Sequence, residues 1–152
     1  MALDINNLTN FAVDKKSFTQ VAKKVLSGEN RGTENISLAF VGKEEIKKLN
    51  KKFRKKDEAT DVLSFNLDES FGAAQDKKYL GEIVICPDIV KENASAYAKS
   101  SGATKKKYKD EFKKEMMKVF IHGILHLLGY DHEKSEKEAE IMEAKQNKYL
   151  GK

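Results

Sequence analysis

The sequence predicts a small α/β (α+β) protein in which a mixed sheet of about four strands is covered by helices. Short runs of alternating apolar residues, typical of strands with one buried face, are separated by longer segments in which apolar residues recur every three or four positions. Elements with such apolar faces bury them against each other in two or three layers. The chain has 152 residues, one proline and no Gly/Ser-rich linker, so residues 1–152 are expected to form a single domain.

The first half of the chain predicts two helices and two strands. The first helix has a narrow apolar face and ends at Gly28, whereas the second is short and very basic. Both strands show the strict alternation of a half-buried strand. The elements are a helix over 17–28, a strand over 35–42, a helix over 43–56 and a strand over 60–67.

The second half predicts one strand, over 79–87, and three helices, over 88–99, 107–128 and 133–150. Pro87 is expected to end the strand, and Asp88 is expected to cap the helix that follows. The helix over 107–128 becomes apolar nearly all round from Val119 onward. That pattern predicts a buried central helix.

Composition bears on location and partners. The formal charge is +5 and the sequence pI about 9.1, and this mild basic excess favours a polyanionic partner such as nucleic acid. The one cysteine, Cys86, cannot form an internal disulfide. The first residues lack the features of a signal peptide, and no apolar run approaches the roughly 20 residues of a membrane span. We therefore expect a cytoplasmic protein with no membrane partner.

All three histidines lie within the eleven residues HGILHLLGYDH. His122 and His126 are four residues apart and share one face of the predicted central helix. Gly129 stands where helices commonly end, so the chain can turn and bring His132 back towards the pair. A lone histidine on an apolar helix is usually a hydrogen-bonded core residue, but this spacing predicts one Zn²⁺ ion held by three imidazoles with a fourth position open to water. Nickel, cobalt or copper would also suit these ligands.

Gly123 limits the chemistry of such a site. The histidine spacing is that of the metzincin peptidases, which carry glutamate after the first histidine as the general base. Glycine has no side chain that could accept a proton, so peptide hydrolysis by that route is not expected. A metal could still lower the pKa of a bound water and polarise an oxygen of another substrate.

Three motifs resemble the YbeY family of ribosomal RNA maturation factors. HGILHLLGYDH matches the signature H-G-x-L-H-L-x-G-Y-D-H at every fixed position. LNKKFRKKDEATDVLSFN resembles N-x-x-[FY]-R…T-D-V-L-S-F, and LGEIVIC resembles L-G-[DE]-I-x-I. The motifs occur in the family's order over residues 49–132. Ala59 and Asn66 stand where the family often has proline, which should change local stiffness more than chemistry.

The resemblance implies an α/β fold and a zinc ion held by His122, His126 and His132. It also implies a single-strand-specific endoribonuclease that acts in late small-subunit (16S) rRNA maturation and ribosome quality control. The implied partners are ribosomal RNA and the small ribosomal subunit, and DNA is not expected. Arg54 matches the arginine that the family needs for activity.

The basic segment over 47–56 has seven basic side chains and no acid, which suits either a solvated helix face or an RNA contact. The planar guanidinium of Arg54 could clamp a phosphate with two hydrogen bonds, and Lys51 and Lys55 could follow the RNA backbone. Ser64 either faces the same cleft or is an ordinary strand residue. The catalytic candidates are Arg54, His122, His126 and His132, and the substrate-binding candidates are Arg54, Ser64, Lys51 and Lys55.

Two carboxylates are weaker candidates. Glu82 lies in an apolar strand and could orient a water, and Asp131 could either orient a metal ligand or only stabilise its turn. Two other functions also remain open from the residues alone: a ribosome-assembly RNA-binding factor with a structural zinc, and a metallopeptidase-like hydrolase with an unusual base. The oligomeric state is left open as well.

Overall fold

A computed structural model describes residues 3–66, 79–102 and 104–151. Leu67, the last residue of the predicted strand over 60–67, lies outside these ranges. No helix within them is long and apolar enough to cross a membrane. The elements are β1 (Leu3–Asn7), α1 (Lys15–Gly28), β2 (Asn35–Phe40), α2 (Lys43–Arg54), β3 (Val62–Asn66), β4 (Tyr79–Ile85), α3 (Pro87–Ser101), α4 (Lys105–Leu127) and α5 (Glu136–Tyr149).

The described strands form one mixed sheet in the order β1-β2-β4-β3. Strands β1 and β4 pair in parallel with β2, whereas β3 pairs antiparallel with β4. This confirms the predicted α+β class with about four strands. The segment LDINN of β1 was not among the predicted strands, because only Leu3 and Ile5 are apolar in an edge strand that alternates half-buried with exposed residues.

Four of the described helices begin at residues other than those predicted: α1 and α4 each begin two residues earlier, α3 one residue earlier and α5 three residues later. Helix α3 begins at Pro87, so Asp88 lies in its first turn and the prediction that it caps the helix is wrong. Proline suits the first helical position because its fixed φ is helical and its missing N–H would have had no partner there. The Cys86 carbonyl already accepts a hydrogen bond from the N–H of Val90, 3.2 Å away. Helix α5 begins later than predicted, because Ser135 caps it by accepting a backbone N–H with its side chain.

The two faces of the sheet carry different helices. On one face, buried residues of α1, α3, α4 and α5 pack with Ile36, Leu38, Ile83 and Ile85. On the other face, Ile46 of α2 packs with the side chains of β3 and β4 that point away from α4. Alternation along β3 therefore places Leu63 and Phe65 under α2 and turns Ser64 towards α4.

Helix α4 is the central helix. It contacts α1, α3, α5 and strands β3 and β4. Most residues from Val119 to Leu127 are buried, as the apolar pattern predicts, and the two that are only partly buried are His122 and His126. The apolar end of the helix therefore carries the histidine pair at the margin of the core.

Candidate metal centre

The three histidine rings converge at the C-terminal end of α4. The Nε2 atoms of His122 and His126 lie 3.0 Å apart. Ring centroids are 4.5 Å apart for His122 and His126, 5.1 Å for His122 and His132, and 5.2 Å for His126 and His132. One nitrogen from each ring lies within 4.8 Å of the other two, so a single ion could contact all three.

The turn after α4 brings His132 back to the pair. Gly129 has φ +101°, a left-handed conformation that glycine adopts readily. Its N–H donates to the His126 carbonyl at 3.0 Å, and the Tyr130 N–H donates to the Leu125 carbonyl at 3.1 Å. These bonds satisfy the last carbonyls of the helix while the chain reverses, which is the chain reversal that the sequence predicts.

Burial keeps the helical histidines neutral. Burial, with a smaller contribution from His126, lowers the pKa of His122 to about 4. Burial also lowers the pKa of His126, with repulsion from His132 as the next cause. A neutral imidazole has a lone pair for a metal, and a set of three histidine nitrogens fits Zn²⁺. His132 is exposed, so the cluster opens towards solvent.

Gln146 of α5, which is not among the site residues predicted from the sequence, orients one of these rings. The Nδ1–H of His122 donates to the Gln146 side-chain oxygen at 3.1 Å, which leaves Nε2 directed at the cluster. Gln146 is 7% exposed and shares the buried face of α5 with Met142 and Tyr149. These three residues form an i, i+4, i+7 stripe, and a polar residue in the middle of such a stripe is the sequence signal that could have identified Gln146.

Gly123 faces the sheet and not the cleft. A Cβ atom added there would lie 3.1 Å from Ile83 Cγ2 and 3.2 Å from Ser64 Oγ. The Ser64 hydroxyl donates to the Gly123 carbonyl at 3.2 Å, which ties β3 to α4. Glycine at this position therefore permits close packing of the central helix, and a glutamate here would point into β3 and β4.

The histidine cluster forms part of an open cleft of about 1160 Å³. Arg54, at the end of α2, lines the same cleft. Its guanidinium donates to the Ser64 carbonyl and lies over the Phe65 ring, 5.1 Å from the ring centroid. The structure therefore brings Arg54, Ser64 and the three histidines into one cleft.

The lysines of the cleft are not those that the sequence suggested. Lys56, Lys118 and Lys134 line the cleft, whereas Lys51 and Lys55 do not. Lys51 is exposed, and its Nζ lies 3.9 Å from the Asp57 carboxylate. Lys55 caps α2 in a left-handed conformation with φ 62°. Both lie close in sequence to Arg54, but neither side chain reaches the cluster.

The two weaker carboxylate candidates differ in position. Glu82 pairs with Phe65 across the sheet and so lies on the α2 face, away from the histidines. Burial raises the pKa of Glu82, but the side chain does not line the cleft. Asp131 does line the cleft, and its carboxylate accepts the N–H of Glu133 at 2.9 Å. That bond stabilises the turn that carries His132.

The fold and site together define a small α+β protein with an open cluster of three histidines, which could hold a metal ion, at the end of a buried helix. The chain belongs to the Endoribonuclease YbeY family, whose sequence profile matches residues 4–152. This confirms the resemblance that the three motifs indicate.

The chain is similar to several curated proteins of this name. The Endoribonuclease YbeY of Thermotoga neapolitana is 40% identical over 135 residues, which cover 89% of this chain and 77% of that protein. The Endoribonuclease YbeY of Staphylococcus saprophyticus is 35% identical over 148 residues, covering 91% and 88%. The solution structure of TM1509 from Thermotoga maritima matches with a TM-score of 0.62 and 34% identity, covering 97% of this chain and 86% of that one.

Proposed function

We propose that this chain is a zinc-dependent endoribonuclease that cleaves single-stranded RNA during late small-subunit (16S) rRNA maturation and ribosome quality control. The observation that carries the proposal is that Arg54 and the three-histidine cluster line one open cleft. The related proteins named Endoribonuclease YbeY support the reaction class. Residues 1–152 would act as one cytoplasmic hydrolase domain, with ribosomal RNA and the small subunit as partners.

His122, His126 and His132 would hold the ion. Bound there, Zn²⁺ supplies Lewis acidity and a water of lowered pKa. Gln146 holds the His122 ring so that Nε2 faces the cluster. The exposed edge of His132 leaves room for a substrate oxygen on the solvent side.

Arg54 would bind and stabilise the reacting phosphate. Its guanidinium is exposed at the cleft, and the Phe65 ring and the Ser64 carbonyl fix the plane in which it lies. A planar guanidinium can bind two phosphate oxygens together, which a lysine ammonium cannot do. Donors held in place before the reaction stabilise the negative charge that builds up on phosphorus. Ser64 positions Arg54 through its carbonyl and α4 through its hydroxyl.

Lysines would bind the RNA backbone around this centre. Lys56 and Lys118 lie on the cleft wall, and the exposed Lys51 and Lys55 extend the basic surface beyond it. Contacts between lysines and phosphates release counterions, so binding should weaken steeply with salt. Removing one phosphate contact to a single strand should reduce the log–log salt slope by about 0.7.

The test compares RNA cleavage by the parent, Arg54→Ala, Arg54→Lys and His126→Ala, with zinc content measured in each preparation. Lys16→Ala removes an equal charge from the exposed surface of α1, outside the cleft, and serves as the control. Arg54→Ala should lower kcat by about 100-fold or more with zinc retained, and Arg54→Lys should recover little. His126→Ala should lose both zinc and activity. Cleavage at the parent rate by Arg54→Ala and His126→Ala would show that the reaction occurs elsewhere.

The geometry favours this function over the two alternatives. A structural zinc site is closed by four protein ligands, whereas the cluster found among the described residues has three members, one of them exposed. A peptidase of the metzincin type needs a carboxylate at residue 123, where a side chain would point into the sheet. A fourth protein ligand in a metal-loaded structure would instead support the RNA-binding factor.

A further inference from the structure

Glu29 lies directly after α1 and is a buried carboxylate that joins three distant parts of the chain. Its side chain is 8% exposed. One oxygen accepts the Tyr130 hydroxyl at 2.6 Å, and the other accepts Lys145 Nζ at 3.0 Å as well as the Tyr149 hydroxyl. These partners are 101 to 120 residues away in sequence.

The partners of Glu29 flank the residues that form the metal centre. Tyr130 lies in the turn after α4, two residues before His132. Lys145 and Tyr149 lie on α5 on either side of Gln146, which accepts the His122 ring N–H. One carboxylate therefore holds both the turn that carries the third histidine and the helix that orients the first.

The end of α1 gives this carboxylate a fixed position. The Glu29 N–H donates to the Val25 carbonyl at 3.0 Å, and Val25 and Leu26 are fully buried. The preceding residue is Gly28, where a Cβ atom would lie 2.5 Å from the Tyr149 hydroxyl oxygen. Helix α1 and α5 thus approach closely at this point, and the core holds Glu29 in place before any ion binds.

The charge of Glu29 is compensated locally. Burial alone would raise the pKa of its carboxyl group, but hydrogen bonds from Tyr130, Tyr149 and Lys145 outweigh that effect and leave the pKa below its usual value. A buried carboxylate is costly unless it is paired and hydrogen-bonded. Replacing it with a neutral amide of the same shape would remove this pairing.

We infer that Glu29 is a positioning residue for the metal centre, acting through Tyr130 on His132 and through Lys145 and Tyr149 on the Gln146–His122 pair. This rests on the zinc site of the proposed function. The hydrogen bonds found for the Glu29 side chain go to these three residues and not to the histidines, and Glu29 is not among the described residues that line the cleft. Its role is to fix the turn after α4 and helix α5 relative to each other, so that the three imidazole nitrogens converge without rearrangement.

The test uses Glu29→Gln in the full chain, with Glu34→Gln as the matched control. Glu34 lies on the same loop and pairs with Arg31, but the bonds described for it do not reach α5 or the histidine turn. Zinc affinity is measured by competition with a chromophoric chelator, and the Co²⁺-loaded forms are compared by visible absorption, which reports ligand geometry. Circular dichroism and urea unfolding of the metal-free proteins show that each variant is folded.

Glu29→Gln should weaken zinc binding by about 10- to 100-fold and alter the Co²⁺ spectrum, whereas Glu34→Gln should do neither. Tyr130→Phe should reproduce part of the loss of zinc affinity. The double variant with Glu29→Gln should bind zinc no more weakly than Glu29→Gln alone, because both substitutions remove the same hydrogen bond between Tyr130 and Glu29. Zinc affinity within twofold of the parent in folded Glu29→Gln would overturn the inference.

A second readout needs no metal and separates this inference from the proposed function. Long-range ¹⁵N–¹H spectra of the metal-free protein report the protonated nitrogen of each imidazole. The parent and Glu34→Gln should hold His122 with its proton on Nδ1, and Glu29→Gln should show a tautomer mixture. If the parent bound no zinc, the proposed function would fail, and the tautomer comparison alone would then decide the role of Glu29. An unchanged His122 tautomer in Glu29→Gln would refute that role.

Discussion

Replacing Gln146 with methionine tests whether a single hydrogen bond from α5 sets the metal affinity. Gln146 is 7% exposed, and its side-chain oxygen accepts the Nδ1–H of His122 at 3.1 Å. Methionine has a similar length and fills the same space, and a hydrophobic replacement of similar volume usually costs less than about 1.5 kcal/mol in packing. The change therefore removes the acceptor with little disturbance of the core.

The expected effect has two parts. A buried N–H left without a partner costs about 1–3 kcal/mol, which should lower the free energy of unfolding of the metal-free protein. Loss of the group that orients a ligating histidine usually lowers metal affinity by about 10- to 100-fold, or about 1.4–2.7 kcal/mol. The His122 ring would then rotate or change tautomer, and Nε2 would no longer be held towards the cluster.

Zinc competition titrations and urea unfolding of Gln146→Met and Gln146→Glu measure both parts. Gln146→Glu keeps an acceptor oxygen, so it should retain parental zinc affinity to within a few-fold. If Gln146→Met bound zinc as tightly as the parent, the hydrogen bond would have no role in orienting His122. If Gln146→Glu lost as much affinity as Gln146→Met, packing at α5 and not the acceptor would be the cause.

Three further outcomes are expected. Gly123→Glu should fail to fold or should lose several kcal/mol of stability, because its side chain would collide with Ile83. It should also gain no peptidase activity. Urea unfolding and peptide-hydrolysis assays check these two outcomes. Gly81→Ala should cost about 3 kcal/mol in urea unfolding, because its Cβ would lie 2.3 Å from the Phe65 carbonyl oxygen. The lowered pKa of Glu29 means that its stabilising effect is present above the usual value of 4.5 and is lost as pH falls through the folded-state pKa. The stability difference between the parent and Glu29→Gln should therefore shrink in acid, and a constant difference from pH 7 to pH 3 would contradict this assignment.

Most of the elements and the histidine cluster follow from short-range features of the sequence. The periodicity that places His122 and His126 on one helical face is set by helix geometry alone. Gly129 marks the end of that helix because few other residues adopt a left-handed conformation so easily. The apolar run from Val119 onward predicts the burial of α4, since a helix that is apolar all round needs partners on every side.

Short-range patterns predict less well those features that depend on contacts between residues distant in sequence. Strand β1 has little apolar character, and its pairing with β2 makes it part of the sheet. Lys51 and Lys55 belong to the same basic segment as Arg54. Arg54 lines the cleft and these two lysines do not, because the direction of a side chain depends on where the helix ends and how it packs. Glu82 lies on the far face of the sheet because strand pairing sets which face each residue occupies.

The sequence by itself determines which three imidazoles can meet, since their spacing, the helix period and a terminal glycine are encoded within eleven residues. Only the tertiary structure decides what surrounds them. The oxygen of Gln146, the carboxylate of Glu29 and the carbonyl of Ser64 act on residues 10 to 120 positions away. Such contacts depend on how helices and strands pack against one another, and no local periodicity specifies that packing.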